Sequence, residues 1–302
     1  MLAVVSPGQG AQAPGMLTSW IEIPAAREAL EQFSEASGID LIDLGTNADA
    51  DTIRDTAIAQ PLLVASALAA YAALDVTPAL AAGHSVGEFG AAAVAGVLSP
   101  TDAVSLVRTR GVAMAEAAAA AETTSMAAIL GGDASEVATL LNELGLTPAN
   151  MNGGGQVVAA GSATAIAQLV EAPPARARVI QLQVAGAFHT DYMAPAVPVL
   201  AAAAARVARE EPTLTLLSNY DGAAVASADA AVESLVAQVA RPVRWDLCME
   251  TMLSLGVTGI IELAPGGVLT GLAKRAMKGV PAVALTSPDD LEAARDLARS
   301  IA

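Results

Sequence analysis

The chain has 302 residues, enough for one large domain or a large domain with a smaller insert. It is 54% hydrophobic but only 3% aromatic, so its core must come mainly from Ala, Val, Leu and Ile, and its net charge of −16 argues against nucleic acid or an anionic membrane as partner of the whole surface. A single cysteine, Cys248, excludes an internal disulfide and a cysteine-rich metal site, and fits a reducing cytosol.

Residues 1–10 carry no basic start and too short an apolar stretch for a secretion signal, so a soluble, cytoplasmic protein is expected. Residues 2–6 predict a short strand ending at Pro7, and 25–36 an amphipathic helix. The uncharged run 56–74 is interrupted by Pro61. A helix is predicted over 60–74 with Pro61 in its first turn, where a missing N–H costs nothing. The remainder, 62–74, has the length of a buried core helix, not of a membrane span. Residues 80–83 predict a strand and 86–97 a helix. The next helix starts with Ser99 as cap, Pro100 at its first position and Asp102 near its N-terminal dipole.

From Ser125 the pattern changes. Short strands are predicted at 126–130, 149–151, 156–160 and 179–182, interleaved with helices at 134–144 and 163–170. That order, β-α-β-β-α-β, is the ferredoxin-like split unit, so 122–186 is read as a small inserted subdomain. The large domain, 1–121 and 187–302, resumes with helices at 195–209 and 231–239, a strand at 259–263 and a helix at 268–277. Alternating strands and helices argue for a parallel, helix-covered sheet there.

Gly83-His84-Ser85-Val86-Gly87 is a Gly-x-Ser-x-Gly sequence placed between a predicted strand and a predicted helix. Glycines on either side of the serine let two chain segments approach closely, which holds the serine on a strained turn with its hydroxyl exposed. A serine hydroxyl needs a base to take its proton. The chain has two histidines, and His84, adjacent to the serine on a tight elbow, points away from it. That leaves His189, 104 residues on and directly after the small subdomain, unlike the late histidine of an α/β-hydrolase. Asp191 is too near His189 in sequence to be the obvious orienting acid, so a backbone carbonyl is a candidate for that role.

On the helix starting at Pro100, Arg110 falls on the apolar stripe with Ala103, Leu106, Val107, Ala113, Met114 and Ala117, while Arg108 points the opposite way and reads as surface. A guanidinium on a buried stripe must be paired. Either it meets a carboxylate of its own chain, or it is a fork for a substrate carboxylate. Residues 8–13 match a dinucleotide-binding glycine pattern, but Pro14 and Gly15 follow at once, so the helix that would receive a pyrophosphate does not start there. A backbone N–H aimed at an oxyanion, joined by that of Val86, is the better use of the turn.

Together these residues resemble the malonyl-CoA:acyl carrier protein transacylase family. The motifs run in family order over almost the whole chain: Pro7-Gly8-Gln9-Gly10, Gln60-Pro61, the serine elbow with Glu88, Arg110 with Met114, Asn150-Met151-Asn152 before Gly155-Gln156-Val157-Val158, Phe188-His189, Pro242-Val243-Arg244-Trp245 and Pro265-Gly266-Gly267-Val268-Leu269. The resemblance implies an α/β fold with a hydrolase-like parallel-sheet core, an inserted ferredoxin-like α+β subdomain, and a Ser–His dyad in the crevice between them. It implies Ser85 as nucleophile, His189 as base, the N–H groups of Gln9 and Val86 as oxyanion hole, and Arg110 as the malonyl carboxylate reader. Gln60, Asn152, Met114 and Phe188 would contact substrate, and the Arg244 backbone would orient His189. Phe188 before the histidine resembles the form that selects malonyl over methylmalonyl.

The activity so implied is ping-pong transfer of malonyl from malonyl-CoA to the phosphopantetheine thiol of acyl carrier protein, by a monomer without a cofactor of its own, for fatty acid synthesis. Carrier proteins are acidic, as this chain is. Its two lysines, Lys274 and Lys278, flank Arg275 near the end of a predicted helix. They are a docking or CoA-phosphate patch, or else cations complementing a helix C-terminus. Three rival readings stand beside this one. A thioesterase or esterase would use the same elbow with no need of Arg110; a discrete polyketide-synthase acyltransferase would share the chemistry but serve another carrier; a silent carrier-binding scaffold would not need Ser85, His189 and Arg110 intact.

Overall fold

The computed structural model describes residues 1–301. In chain order the first elements are β1 (Leu2–Ser6), α1 (Pro24–Ser37), α2 (Leu41–Asn47), α3 (Thr56–Leu74), β2 (Leu80–Gly83), α4 (Gly87–Val94) and α5 (Pro100–Ala120). A second group follows: β3 (Thr124–Gly131), α6 (Ala134–Glu143), β4 (Thr147–Gly153), β5 (Gln156–Ser162), α7 (Ala163–Glu171) and β6 (Ala177–Gln181). The chain then adds α8 (Ala196–Ala204), β7 (Thr215–Leu216), α9 (Ala228–Ala237), β8 (Val243–Arg244), α10 (Trp245–Ser254), β9 (Gly259–Glu262), α11 (Val268–Ala276), β10 (Ala282–Ala284) and α12 (Leu291–Ile301).

Strands β10-β9-β1-β2-β7 form one all-parallel sheet. Every residue of β1, β2 and β9 is buried, as expected where helices cover both faces of a sheet. Alternate residues of β1 feed opposite cores: Val4 packs with α1, α3 and α5, while Ala3 and Val5 pack with Trp245, Met249 and Leu272. The β1–β2 register sets Ser6 beside Gly83, so both strands end together where the serine elbow begins. Crevices at the carboxyl ends of parallel strands are where ligands bind in such folds.

Helix α3 begins four residues before the predicted start. Asp55 caps it, accepting from the Ala57 N–H at 2.8 Å, so Pro61 lies in its second turn. There the missing Pro61 N–H leaves the Ala57 carbonyl without its helical donor. Arg108 of α5 supplies one, its Nη1 lying 2.5 Å from that oxygen. Arg108 is therefore half-buried and bonded, not a free surface cation. By length and composition α3 could cross a membrane, but it lies buried against α1, α4 and α5. Helix α5 starts as predicted, with the Ser99 hydroxyl accepting from the Asp102 N–H at 3.0 Å.

The second sheet has the order β6-β3-β5-β4-β8. Its first four strands pair antiparallel in the ferredoxin-like order, with α6 and α7 over a core of Ile129, Val137, Leu141, Ile166 and Leu169. The fifth strand is an unpredicted addition from the large domain: β8 pairs parallel to β4, with Asn150 opposite Val243 and Met151 opposite Arg244. The sheet of the insert thus extends into the body that carries the serine.

Candidate active site

The elbow is built by exclusion of side chains. A Cβ on Gly83 would lie 2.0 Å from the Gly87 carbonyl carbon and oxygen, and one on Gly87 would lie 2.2 Å from the Ser6 carbonyl oxygen. No other residue fits either position, so β1, β2 and α4 close to backbone contact around Ser85. Ser85 is held at φ 52°, a left-handed conformation unusual for a residue with a side chain. Asn219 holds it there: its Oδ1 accepts from the Ser85 N–H at 2.7 Å and its Nδ2 donates to the Gly83 carbonyl at 2.7 Å.

The Ser85 hydroxyl lies 2.7 Å from His189 Nε2. On the far side of the ring, His189 Nδ1 lies 2.9 Å from the Gln238 carbonyl oxygen, which can only accept. The proton therefore sits on Nδ1, and Nε2 is free to take the one from serine. His189 is 3% exposed, and burial holds its imidazole well below its ordinary 6.5, to about 3; the nearby Arg110 guanidinium adds to that, while the Gln238 carbonyl opposes it. The base is neutral at physiological pH.

Arg110, 1% exposed, enters from α5. Its Nη1 donates to Gln60 Oε1 at 2.7 Å, and its Nη2 to Gln238 Oε1 at 2.9 Å and to Ser85 Oγ at 3.4 Å. Its Nε has no partner, and no ion pair engages it among the described residues. Two amide oxygens aim the guanidinium without neutralising it. Burial lowers its pKa to about 10, which still leaves it charged, and the carboxyl of Glu88 supports that charge. Glu88 itself is pushed up to about 8 by burial, against the Asn219 N–H, the Gln238 amide and the Arg110 charge.

Ser85, His189, Arg110 and Gln60 line a cavity of about 260 Å³ between the two sheets, together with Gln9, Met114, Phe188, and Met126, Asn150 and Val158 of the small subdomain. Gln60 Nε2 donates to Met114 Sδ at 3.5 Å, so methionine and glutamine fix each other behind Arg110. Among the described residues neither the Gln9 nor the Val86 N–H donates a hydrogen bond to the protein. Val86 stands at the N-terminus of α4, where orphan N–H groups and the helix dipole favour negative charge.

The Acyl transferase domain family matches residues 4–294. The chain belongs to this acyltransferase family. A Mycobacterium tuberculosis protein named malonyl CoA-acyl carrier protein transacylase is 52% identical over 298 residues, 97% of this chain and 98% of its own. The Escherichia coli protein of that name is 36% identical over 306 residues, 98% of this chain and 99% of its own. The crystal structure of the Mycobacterium tuberculosis MCAT superposes with a TM-score of 0.94 at 51% identity, covering 99% of each chain.

Within this acyltransferase the geometry corrects two expectations. The carbonyl that orients His189 belongs to Gln238, not to Arg244. Arg244 instead pairs its own side chain with Asp246, at 2.9 Å from both Nε and Nη2, and its N–H donates to the Asn219 carbonyl. Gln238 lies four residues before Pro242, at the end of α9, and nothing in the local pattern distinguished it from a surface glutamine. Asn152 does not line the cavity; it is buried with its Oδ1 2.8 Å from His84 Nε2, while the neighbouring Asn150 faces the pocket. His84 does point away from Ser85, as its place on the elbow predicted, and spends its ring on this link to the small subdomain. Lys274, Arg275 and Lys278 are exposed on and just after α11 and none lines the cavity; Arg275 Nη2 donates to Gln156 Oε1 at 3.0 Å.

Proposed function

We propose that this acyltransferase moves a malonyl group from malonyl-CoA to the phosphopantetheine thiol of acyl carrier protein through a malonyl ester of Ser85, and so supplies malonyl units for fatty acid synthesis. One observation carries the substrate assignment: a buried guanidinium without a carboxylate partner reaches to 3.4 Å from the nucleophilic oxygen. In a malonyl thioester one methylene separates the carboxylate from the reacting carbonyl. A fork this close to the nucleophile suits that short diacid, and the names of the relatives agree.

In the first half-reaction Ser85 Oγ attacks the thioester carbonyl as His189 Nε2 takes its proton. The developing oxyanion meets the N–H groups of Gln9 and Val86, a kind of donor worth roughly 3 kcal/mol of barrier each. Collapse breaks the carbon–sulfur bond, and the coenzyme A thiolate leaves with the proton from His189. In the second, His189 takes the proton of the carrier thiol, the thiolate attacks the ester, and Ser85 leaves as the alkoxide that recovers it. Holding the malonyl carboxylate on Arg110 orients the ester for a thiol and leaves a stray water badly placed. Phe188 lines the cavity beside His189, and a bulky ring there would crowd an α-methyl, which favours malonyl over methylmalonyl. The scheme calls for no cofactor beyond the partner's phosphopantetheine, and has the protein working as a cytoplasmic monomer, apart from nucleic acid and membranes.

Intact-mass measurement after mixing with malonyl-CoA alone tests this. A malonyl adduct is expected, absent in Ser85→Ala and much reduced in Arg110→Ala. Free malonate without a persisting adduct would make the protein a hydrolase, and no reaction would make it a scaffold.

A further inference from the structure

Among the described residues two carboxylates are buried, and only one has a plain architectural task. Glu262 accepts the N–H groups of Gly267, Leu269 and Thr270 at the start of α11. Glu88 has no part in the reaction above, yet it lies one helical turn after Ser85 and meets two residues that hold the site. Its Oε1 accepts from the Asn219 N–H at 2.7 Å, and its Oε2 accepts from Gln238 Nε2.

The second contact decides which way the Gln238 amide faces. An amide carries two donors at one end and an acceptor at the other. Gln238 Nε2 donates to the Ser85 carbonyl at 2.9 Å and to Glu88, which leaves Oε1 toward Arg110 Nη2 at 2.9 Å. With Glu88 ionised, a reversed amide would set its oxygen against two acceptors and its NH₂ against a guanidinium. We propose that Glu88 is a positioning residue for recognition of the substrate carboxylate: it fixes the polarity of the Gln238 amide and, through it, one arm of the Arg110 fork. The proposal rests on the malonyl reading of Arg110. Glu88 acts on the fork through a side chain, whereas His189 hangs on the Gln238 backbone, so carboxylate recognition is separable from the dyad.

Glu88→Gln isolates this effect. It keeps an oxygen for the Asn219 N–H, and so spares the elbow, but turns an NH₂ toward Gln238 Nε2. Single-turnover acylation by malonyl-CoA and by acetyl-CoA, which has the thioester without the carboxylate, is measured by intact mass in wild type, Glu88→Gln, Gln238→Leu and the double variant. Rates are measured at about pH 9, above the value of about 8 to which burial raises the Glu88 carboxyl, so that the wild-type group is in its ionised, accepting form. Glu88→Gln is expected to lower the malonyl-to-acetyl rate ratio about tenfold, and by less than about twofold on top of Gln238→Leu. Two results would overturn the proposal: an unchanged ratio, whether or not both rates fall, or the same loss with and without the Gln238 side chain. Should Glu88→Gln not fold, Gln238→Leu alone must lower the ratio, and an unchanged ratio there also refutes it. Failure of the underlying reading looks different: Arg110→Ala would then leave the malonyl-to-acetyl ratio at its wild-type value.

Discussion

His189 shows how one side chain's surroundings set its chemistry. Desolvation and the Arg110 charge keep the ring neutral, and the Gln238 carbonyl fixes its tautomer. Two consequences follow at this scale. The rate of acylation by malonyl-CoA should not fall through pH 6.5 as it would for an ordinary imidazole, since the folded-state value lies near 3. The unfolded chain binds a proton at His189 near 6.5 and the folded chain near 3, so stability is present above 6.5 and lost as pH falls through that window. Chemical denaturation of wild type and His189→Gln between pH 7 and pH 4 should show wild type losing more stability; parallel curves would mean that the histidine is not held neutral.

At the scale of elements, strand–turn–helix geometry at Ser85 depends on the absence of two side chains, and α3 depends on a guanidinium from its neighbour. Gly83→Ala would drive a methyl into the Gly87 backbone, with an overpacking cost of about 1–3 kcal/mol or more and loss of acyl-serine formation in intact-mass measurements. Arg108→Met keeps the packing of the stem but removes the donor from the Ala57 carbonyl. A destabilisation of about 1 kcal/mol in urea unfolding, with acylation unchanged, is expected. The paired outcome separates an arginine that completes a proline-interrupted helix from Arg110, two residues on, which serves the site.

Across the whole molecule, the cavity exists because two sheets meet. The large domain supplies Ser85, Arg110 and His189, the insert supplies Met126, Asn150 and Val158, and β8 together with the His84–Asn152 contact ties the bodies together. The surface is strongly acidic, which is unfavourable for an acidic carrier protein, so docking needs a local exception. Lys274, Arg275 and Lys278 form an exposed cationic group beside the β4–β5 hairpin, to which Arg275 is bonded. Replacing all three by Glu should raise the KM for the carrier protein and leave the malonyl-CoA half-reaction unaltered. Unchanged transfer would make the group a complement to the C-terminal dipole of α11.

Much of this was legible in one dimension, because local rules govern it. The elbow glycines, the Ser99 cap, the apolar stripe around Arg110 and the β-α-β-β-α-β order of the insert are all set by neighbours a few residues apart. Short strands such as β7 and β8, of two residues each, have no periodicity to read, and they form only because a partner strand offers its edge. The partners of Arg108, Asn152, Asn219 and Gln238 were likewise hidden, since their hydrogen bonds reach 51, 68, 134 and 153 residues along the chain. By itself the sequence determined which residues could do chemistry and on what kind of element each would sit. The tertiary structure decided which carbonyl holds the base and which amides aim the guanidinium, because a buried polar group takes whatever complementary group packing brings within about 3 Å.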